Sequence, residues 1–232
     1  LFTNNDDGYT TAHRLRDLGV NVTTVIDARE KISGELLKNT GIDYKTGHVV
    51  TSATGGKSLS SIKIAPYDAQ TKSIGQQNTI KTDALLVSGG YTPTINLCSQ
   101  TGTPAIFSDE IQSFIPGRAN RPWVAAGAVL GSFNLNASLK DGIIAANDSL
   151  KALELPASNI MVPKVVGQSP VAIPLPLTEI PSSNKSAKKF VDFQHDVSVT
   201  DLNIAHTEGF RSVEHLKRYT TLGMAADQGK TS

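Results

Sequence analysis

Apolar positions recur with two different periods over the first 30 residues. Leu1-Phe2 opens as a short apolar strand, and "NNDDG" follows as a turn in which Gly8 is free to take a positive φ. "YTTAHRLRDLG" then carries Ala12, Leu15 and Leu18 at helical spacing, with Gly19 placed as the C-cap. "VNVTTVID" returns to an apolar, β-branched run that ends at Asp27. The order is strand, turn, helix, strand, the opening of a β-α-β unit.

Gly34 to Thr40 is expected as a short helix. From residue 48 to 85 the chain turns strand-rich, with "HVVTSATG", "LSSIKIAPY" and "NTIKTDALLVSGG" separated by turn residues. Leu85, Leu86 and Val87 are continuously apolar, which predicts a central strand buried in a parallel sheet. "RPWVAAGAVLG" reads as a further strand reaching Gly127, then a glycine turn, then a helix from about Asn136 to Leu153. Six of the 11 prolines fall in 154–189, which predicts an extended connector. The last 43 residues form a small helical unit, with Thr200 and Ser212 as candidate N-caps.

Composition narrows the function classes. Twenty-two basic and 21 acidic residues leave a net charge of +1, so no global field points to nucleic acid or an anionic membrane as partner. No apolar run approaches a membrane span. Cys98 is the single cysteine, which excludes an internal disulfide and an all-cysteine metal site. It fits a reducing compartment, and the expected location is the cytoplasm. The chain starts without methionine on a residue that already reads as strand, so a piece of a larger protein is expected.

Two glycine turns carry the candidate chemistry. Counted back from the end of the first helix, the three glycines of a dinucleotide fingerprint belong at 3, 5 and 8; the chain has Thr3, Asn5 and Gly8. Asp6 and Asp7 put negative charge where a pyrophosphate would sit, and are expected to cap the helix and repel phosphate. Asp27 follows Gly8 by 19 residues, as a ribose-binding acid would, or it serves as a turn cap. Arg29 is either a partner for a 2′-phosphate or a solvated side chain. At the second turn, Gly127, Ala128 and Gly131 precede a helix N-terminus with free N–H groups, able to bind phosphate or a ring carbonyl, or forming only a tight packing turn. Gly89, Gly90 and Tyr91 follow the apolar strand and are candidates to line a cofactor cleft, with Asn96. His13, His48, His195, His206 and His215 are scattered without metal or triad spacing.

"TNNDDGYTTAHRLRDLGVNVTTVIDAR", "SGGYTPTINLCSQTG", "AAGAVLGSFNLNASLKDG" and "FVDFQHDVSVTDLNIAHTEGFRSVEHLKRYTTLGMAADQGK" together resemble the alpha subunit of heterotetrameric sarcosine oxidases. The resemblance spans nearly the whole chain and is most specific in the last block. It implies an α/β, three-layer fold of the two-dinucleotide-binding (FAD/NAD(P)-binding) type, incomplete, plus a small helical C-terminal unit. It divides the chain into a central NAD-binding-like domain at 1–85, a returning part of the FAD/NAD(P)-binding domain at 86–153, a linker at 154–189 and the small unit at 190–232.

That family oxidises sarcosine to glycine and H2O2. The carbon leaves as formaldehyde or, with tetrahydrofolate, as 5,10-methylenetetrahydrofolate. The resemblance implies beta, gamma and delta subunits and the missing parts of the alpha chain as partners. It implies NAD in the complete alpha subunit, with FAD and FMN held elsewhere in the complex and no catalytic residue here. Ala128 stands where related flavoproteins carry an Asp for the FAD ribityl chain, which fits NAD better than FAD. The last unit resembles an iron–sulfur module of other amine dehydrogenases but lacks its four cysteines. A subunit of another flavin- or NAD(P)-dependent amine dehydrogenase and a ligand-free assembly scaffold are the alternatives.

Overall fold

The computed structural model describes residues 1–37, 40–157, 159–167, 174–177, 179–182 and 187–230. It divides into two units, residues 1–181 and 182–232. The first begins with β1 (Phe2–Thr3), α1 (Asp7–Asp17), β2 (Thr24–Asp27) and β3 (Asp43–Thr46). An antiparallel set follows: β4 (His48–Gly55), β5 (Leu59–Asp68), β6 (Ser73–Ile74) and β7 (Asn78–Lys81). The chain then returns as β8 (Val87–Ser88). β3, β2, β1 and β8 form one parallel sheet in that order, so the strand order reverses at β1. β5 pairs antiparallel with β4, β6 and β7.

The period of two along β2 builds the layers. Val25, fully buried, faces α1 and joins Tyr9, Ala12, Val22 and Ile42. Ile26, next in sequence, faces the antiparallel layer and joins Phe2, Ala28, Val49, Ile62, Ile64 and Tyr67. Helix, parallel sheet and antiparallel sheet therefore stack as three layers. Each large apolar side chain fully buried between them contributes about 1.5–3 kcal/mol.

Several expectations are corrected here. α1 stops at Asp17, so Leu18 is the C-cap and is 74% exposed rather than part of the apolar stripe. Gly19 beyond it takes φ +89°, as a helix-ending glycine does. The expected 34–40 helix is a 3₁₀ turn over Gly34–Leu36; positions 38 and 39 lie outside the described residues. The run at 85–87 does become a parallel strand, but a two-residue one at the sheet edge, with Leu86 45% and Val87 67% exposed.

Beyond β8, α2 (Asn96–Gln100) leads into a hairpin of β9 (Ala105–Ser108) and β10 (Ser113–Pro116). No strand reaches Gly127 among the described residues. Ala126 is extended (φ −148°, ψ 151°) but unpaired, and a 3₁₀ turn spans Gly127–Leu130. α3 (Leu135–Ala152) follows, its N-terminus capped by the Asn134 side chain on Ala137 N–H at 2.8 Å.

The 154–189 segment does more than connect. Leu175, Leu177 and Ile180 pack against the inner core, while 158, 168–173, 178 and 183–186 lie outside the described residues.

The second unit pairs β11 (Phe190–Asp192) with β12 (Val197–Ser198), followed by α4 (Val199–Thr207) and α5 (Val213–Thr220). Ser198, not Thr200, caps α4, in a reciprocal box with Asp201. Ser212 occupies the N-cap position of α5 without a side-chain bond. The buried Asp192 carboxylate accepts the N–H groups of Gln194, His195 and Gly223, tying the β11–β12 turn to the chain after α5. The Gly223 bond, more than any other cause, holds its pKa below the ordinary carboxylate value. Among the described residues no helix is long and apolar enough to cross a membrane.

Candidate functional site

The reversal of strand order at β1 marks where open α/β sheets bind ligands, beyond the carboxyl ends of β1 and β8. Gly8 lies inside α1 without a positive φ; its reason is proximity. A Cβ on it would fall 2.5 Å from the Thr3 Cβ, so helix and strand meet there as a close-packing glycine requires.

The other two fingerprint positions are filled. The Asn5 side chain donates to Ser88 O at 2.9 Å and accepts the Asp7 N–H at 3.0 Å. The first helical N–H group is thus satisfied by Asn5, and Asp6 makes no side-chain cap, contrary to expectation. Thr3 Oγ1 lies 3.0 Å from Asn5 O and 3.1 Å from Ser88 O. These bonds stitch β1 to β8 across the place a nucleotide backbone would enter.

Arg29 completes the closure. Its guanidinium meets Asp6 at 2.7 Å and the fully buried Asp27 at 2.8 Å, and its own N–H caps Asp27 Oδ1 at 2.8 Å. Asp27 therefore acts as turn cap and ion-pair partner together, and Arg29 is paired and largely buried rather than a solvated side chain. The sequence signal was the spacing of Asp6, Asp27 and Arg29 around one turn, which becomes readable only once β1 and β2 are known to be adjacent. Burial, then the Asp27 carboxylate, raises the pKa of Tyr9 beneath them. Burial, then Asp6, raises that of Asp7, against a hydrogen bond from Tyr91.

Tyr91 is the meeting point of the two candidate groups. It follows exposed Gly89 and Gly90, the latter at φ +101°, and its ring lies 5.4 Å from that of Phe133, just past Gly131. Asn96 is the first residue of α2.

At the second turn Gly127 is buried at φ +72° and its N–H donates to Asp141 on α3 at 3.3 Å. Ala128 is exposed and carries no carboxylate. Gly131, at φ +87°, ends the 3₁₀ turn, and a Cβ there would fall 2.7 Å from Ile111 Cδ1. Asp141 and Phe133 were not anticipated; both depend on contacts across the turn. His13 is hydrogen-bonded to Tyr44 at 2.8 Å, and His48 and His195 to backbone carbonyls. Among the described residues there is no group of three or more His, Cys, Asp or Glu suited to a metal ion.

A parallel sheet reversing at a strand–turn–helix, layered between a helix and an antiparallel sheet, is an α/β fold of the dinucleotide-binding type. The same fold occurs in the L-proline dehydrogenase of P. horikoshii, with a TM-score of 0.55 at 20% identity over 84% of this chain and 39% of that one. Residues 186–232 match the sarcosine oxidase A3 domain. The chain is similar over its whole length to the sarcosine oxidase subunit alpha of Rhizobium meliloti (strain 1021), at 35% identity over 238 residues. It is also similar to the subunits alpha of Corynebacterium sp. strain P-1, at 32%, and strain U-96, at 35%, over 99% of its length. It spans 22–24% of the length of these relatives. The resemblance read from the sequence thus extends from end to end of the chain and falls on a part of each relative's length.

Proposed function

We propose that this chain is the nucleotide-binding and assembly part of a sarcosine oxidase alpha subunit, in a cytoplasmic heterotetramer with beta, gamma and delta subunits. The observation that carries this is the similarity of all its residues to one stretch of sarcosine oxidase alpha subunits. The complex would convert sarcosine, O2 and water or tetrahydrofolate to glycine, formaldehyde or 5,10-methylenetetrahydrofolate, and H2O2. Amine oxidation, FAD and FMN belong to the other parts of the complex in this reading.

NAD is assigned to the second turn rather than the first. The first turn offers no room: Asn5 takes the leading helical N–H, and Asp6, Arg29 and Asp27 satisfy one another. Gly127, Ala128 and Gly131 present backbone without bulky side chains, and Gly89, Gly90 and Tyr91 reach the same neighbourhood through Phe133. Ala128 supplies no acid for a ribityl chain, which favours NAD over FAD. Bare glycine backbone at Gly127 and Gly131 is compatible with close approach of a nucleotide; the remaining contacts would come from the rest of the alpha chain, so this stretch alone is expected to bind NAD weakly or not at all.

The test is to denature the purified full-length complex and quantify released NAD, FAD and FMN, for the parent and for Gly127→Val. Loss of NAD with FAD and FMN retained supports the reading. Undiminished NAD in a correctly assembled complex defeats it. A parent complex without NAD would favour a ligand-free scaffold, the alternative to which the filled first turn lends weight.

A further inference from the structure

The proline-rich segment straps across the crevice that the parallel sheet opens where its strand order reverses. Asn4 is the first residue past β1 and Gly90 the second past β8, so they mark the carboxyl ends between which open α/β sheets bind ligands. Pro174 and Leu175 reach both. The Leu175 N–H donates to Asn4 O, and the Asn4 side-chain amide donates to Leu175 O, each at 2.9 Å. A Cβ built on Gly90 would lie 3.6 Å from Pro174 Cβ, so the proline ring stands close beside bare glycine backbone.

These are the contacts of a bound peptide. Donor and acceptor of one residue meet acceptor and donor on Asn4, as an added strand is met at a sheet edge. Leu175 and Leu177 pack on the core cluster that holds Phe2, Ile26 and Tyr67, while Pro176 between them is exposed, the alternation of an extended chain. The prolines at 174 and 176 fix φ and so lower the entropy lost on seating. Asn4 is 8% exposed and its Oδ1 accepts from Asn5, so both its side-chain polar atoms are engaged.

We infer that this crevice is a peptide site for an extended proline–leucine segment, occupied in cis by residues 174–177. Seated there, the strap shuts the crevice to any other ligand. The first turn thus has two separate closures: Asn5, Asp6 and Arg29 remove the phosphate seat, and the strap covers the mouth. The alternate leucines supply the affinity, and the Asn4 pair sets the register. Nucleotide content at the second turn does not enter.

The probe is acetyl-Pro-Leu-Pro-Leu-amide, titrated calorimetrically into the full-length complex. The parent, with its own strap seated, should not bind it. Leu175→Ser together with Leu177→Ser removes the two apolar anchors of the strap. That double variant should gain a saturable site for one peptide per alpha chain, with flavin content unchanged as the control for assembly. Adding Asn4→Ala, which deletes one of the two hydrogen bonds, should weaken the binding about fivefold. Acetyl-Pro-Ser-Pro-Ser-amide should not bind. Hydrogen exchange gives a second arm that leaves the strap sequence intact. Between 174 and 177 only Leu175 and Leu177 carry an exchangeable amide, since the other two residues are prolines. The Leu175 N–H should be protected in the parent, and its exchange should quicken about fivefold in Asn4→Ala.

Peptide binding by the parent equal to that of the double variant, or none by the double variant, overturns the peptide site. So does binding indifferent to Asn4→Ala or to serine in the probe, which would put the peptide elsewhere. Should the double variant fail to assemble, the exchange arm decides: an unprotected Leu175 in the parent, or exchange unchanged in Asn4→Ala, overturns the seat. A protected Leu175 in a complex that releases no NAD sinks the NAD reading and leaves the strap standing.

Discussion

Residues 3–8 and 127–131 both pass from extended chain into a helix through glycine, and they meet their backbone needs in opposite ways. The first has one glycine of three and fills the other positions with Thr3 and Asn5, whose polar atoms take over bonds that a ligand would make. The second keeps Gly127 and Gly131 at positive φ and satisfies Gly127 N–H from a carboxylate on the next helix. The first turn is a filled joint between strands, whereas the second is open only in lacking side chains, its Gly127 being buried. Departure from the glycine fingerprint here leaves no buried polar group of Thr3 or Asn5 without a partner, because their side chains bond to the neighbouring backbone.

Breaking the filled turn should have the largest effect. Arg29→Ala leaves Asp27 buried and unpaired with Asp6 nearby, and should cost roughly 3 kcal/mol in denaturant unfolding. A change below about 1 kcal/mol would mean that water replaces the guanidinium and that the turn is not closed. Gly8→Ala drives a methyl into Thr3 and should cost about 2 kcal/mol. Pairing it with Thr3→Gly should recover part of that loss, as steric coupling requires.

At the open turn the cost should be conformational instead. Gly127→Ala meets only Ser138 at 3.6 Å, so its expected penalty is the left-handed backbone, about 1 kcal/mol. Gly142→Ala, in the middle of α3 with open space around it, should stabilise by about 0.5–1 kcal/mol and so separates strain from crowding. The smallest effect belongs to Asp7. Its pKa is raised by burial and by Asp6, so the folded state favours the protonated acid. Its ionisation therefore costs stability at neutral pH, a cost that disappears as pH falls below the ordinary carboxylate value. Asp7→Asn should give a slight gain at pH 7 that is absent at pH 3, measured by unfolding at both.

The local half of the structure was legible in the sequence. The β-α-β opening, the antiparallel region after residue 48 and the long helix before Leu153 follow from period, glycine position and β-branching. Ser198 was legible too, since Ser198 and Asp201 have the spacing of a capping box, but Thr200 was the more conspicuous residue. What stayed hidden depended on partners far along the chain. Val124–Ala126 has the composition of a strand, but a strand exists only beside another, and none is adjacent in the described residues. Leu85–Val87 has core composition yet sits at an edge, because apolar content fixes neither strand order nor what covers a face. Arg29 looked solvated because its partner Asp6 lies 23 residues away. Asp141 escaped notice for the same reason at the second turn.

Asn4, at the end of β1, holds Leu175 by both its carbonyl and its side-chain amide, each at 2.9 Å and 171 residues distant in sequence. At a synthesis rate of about 5–20 residues per second, roughly ten seconds or more separate the appearance of the two partners on the ribosome. β1 therefore waits for its seal, with Phe2 and Ile26 lacking Leu175, Leu177 and Ile180 against their shared core until the proline-rich segment arrives. A core left without part of its cover for that interval shows apolar surface to other chains during synthesis, and is a natural place for a chaperone to act.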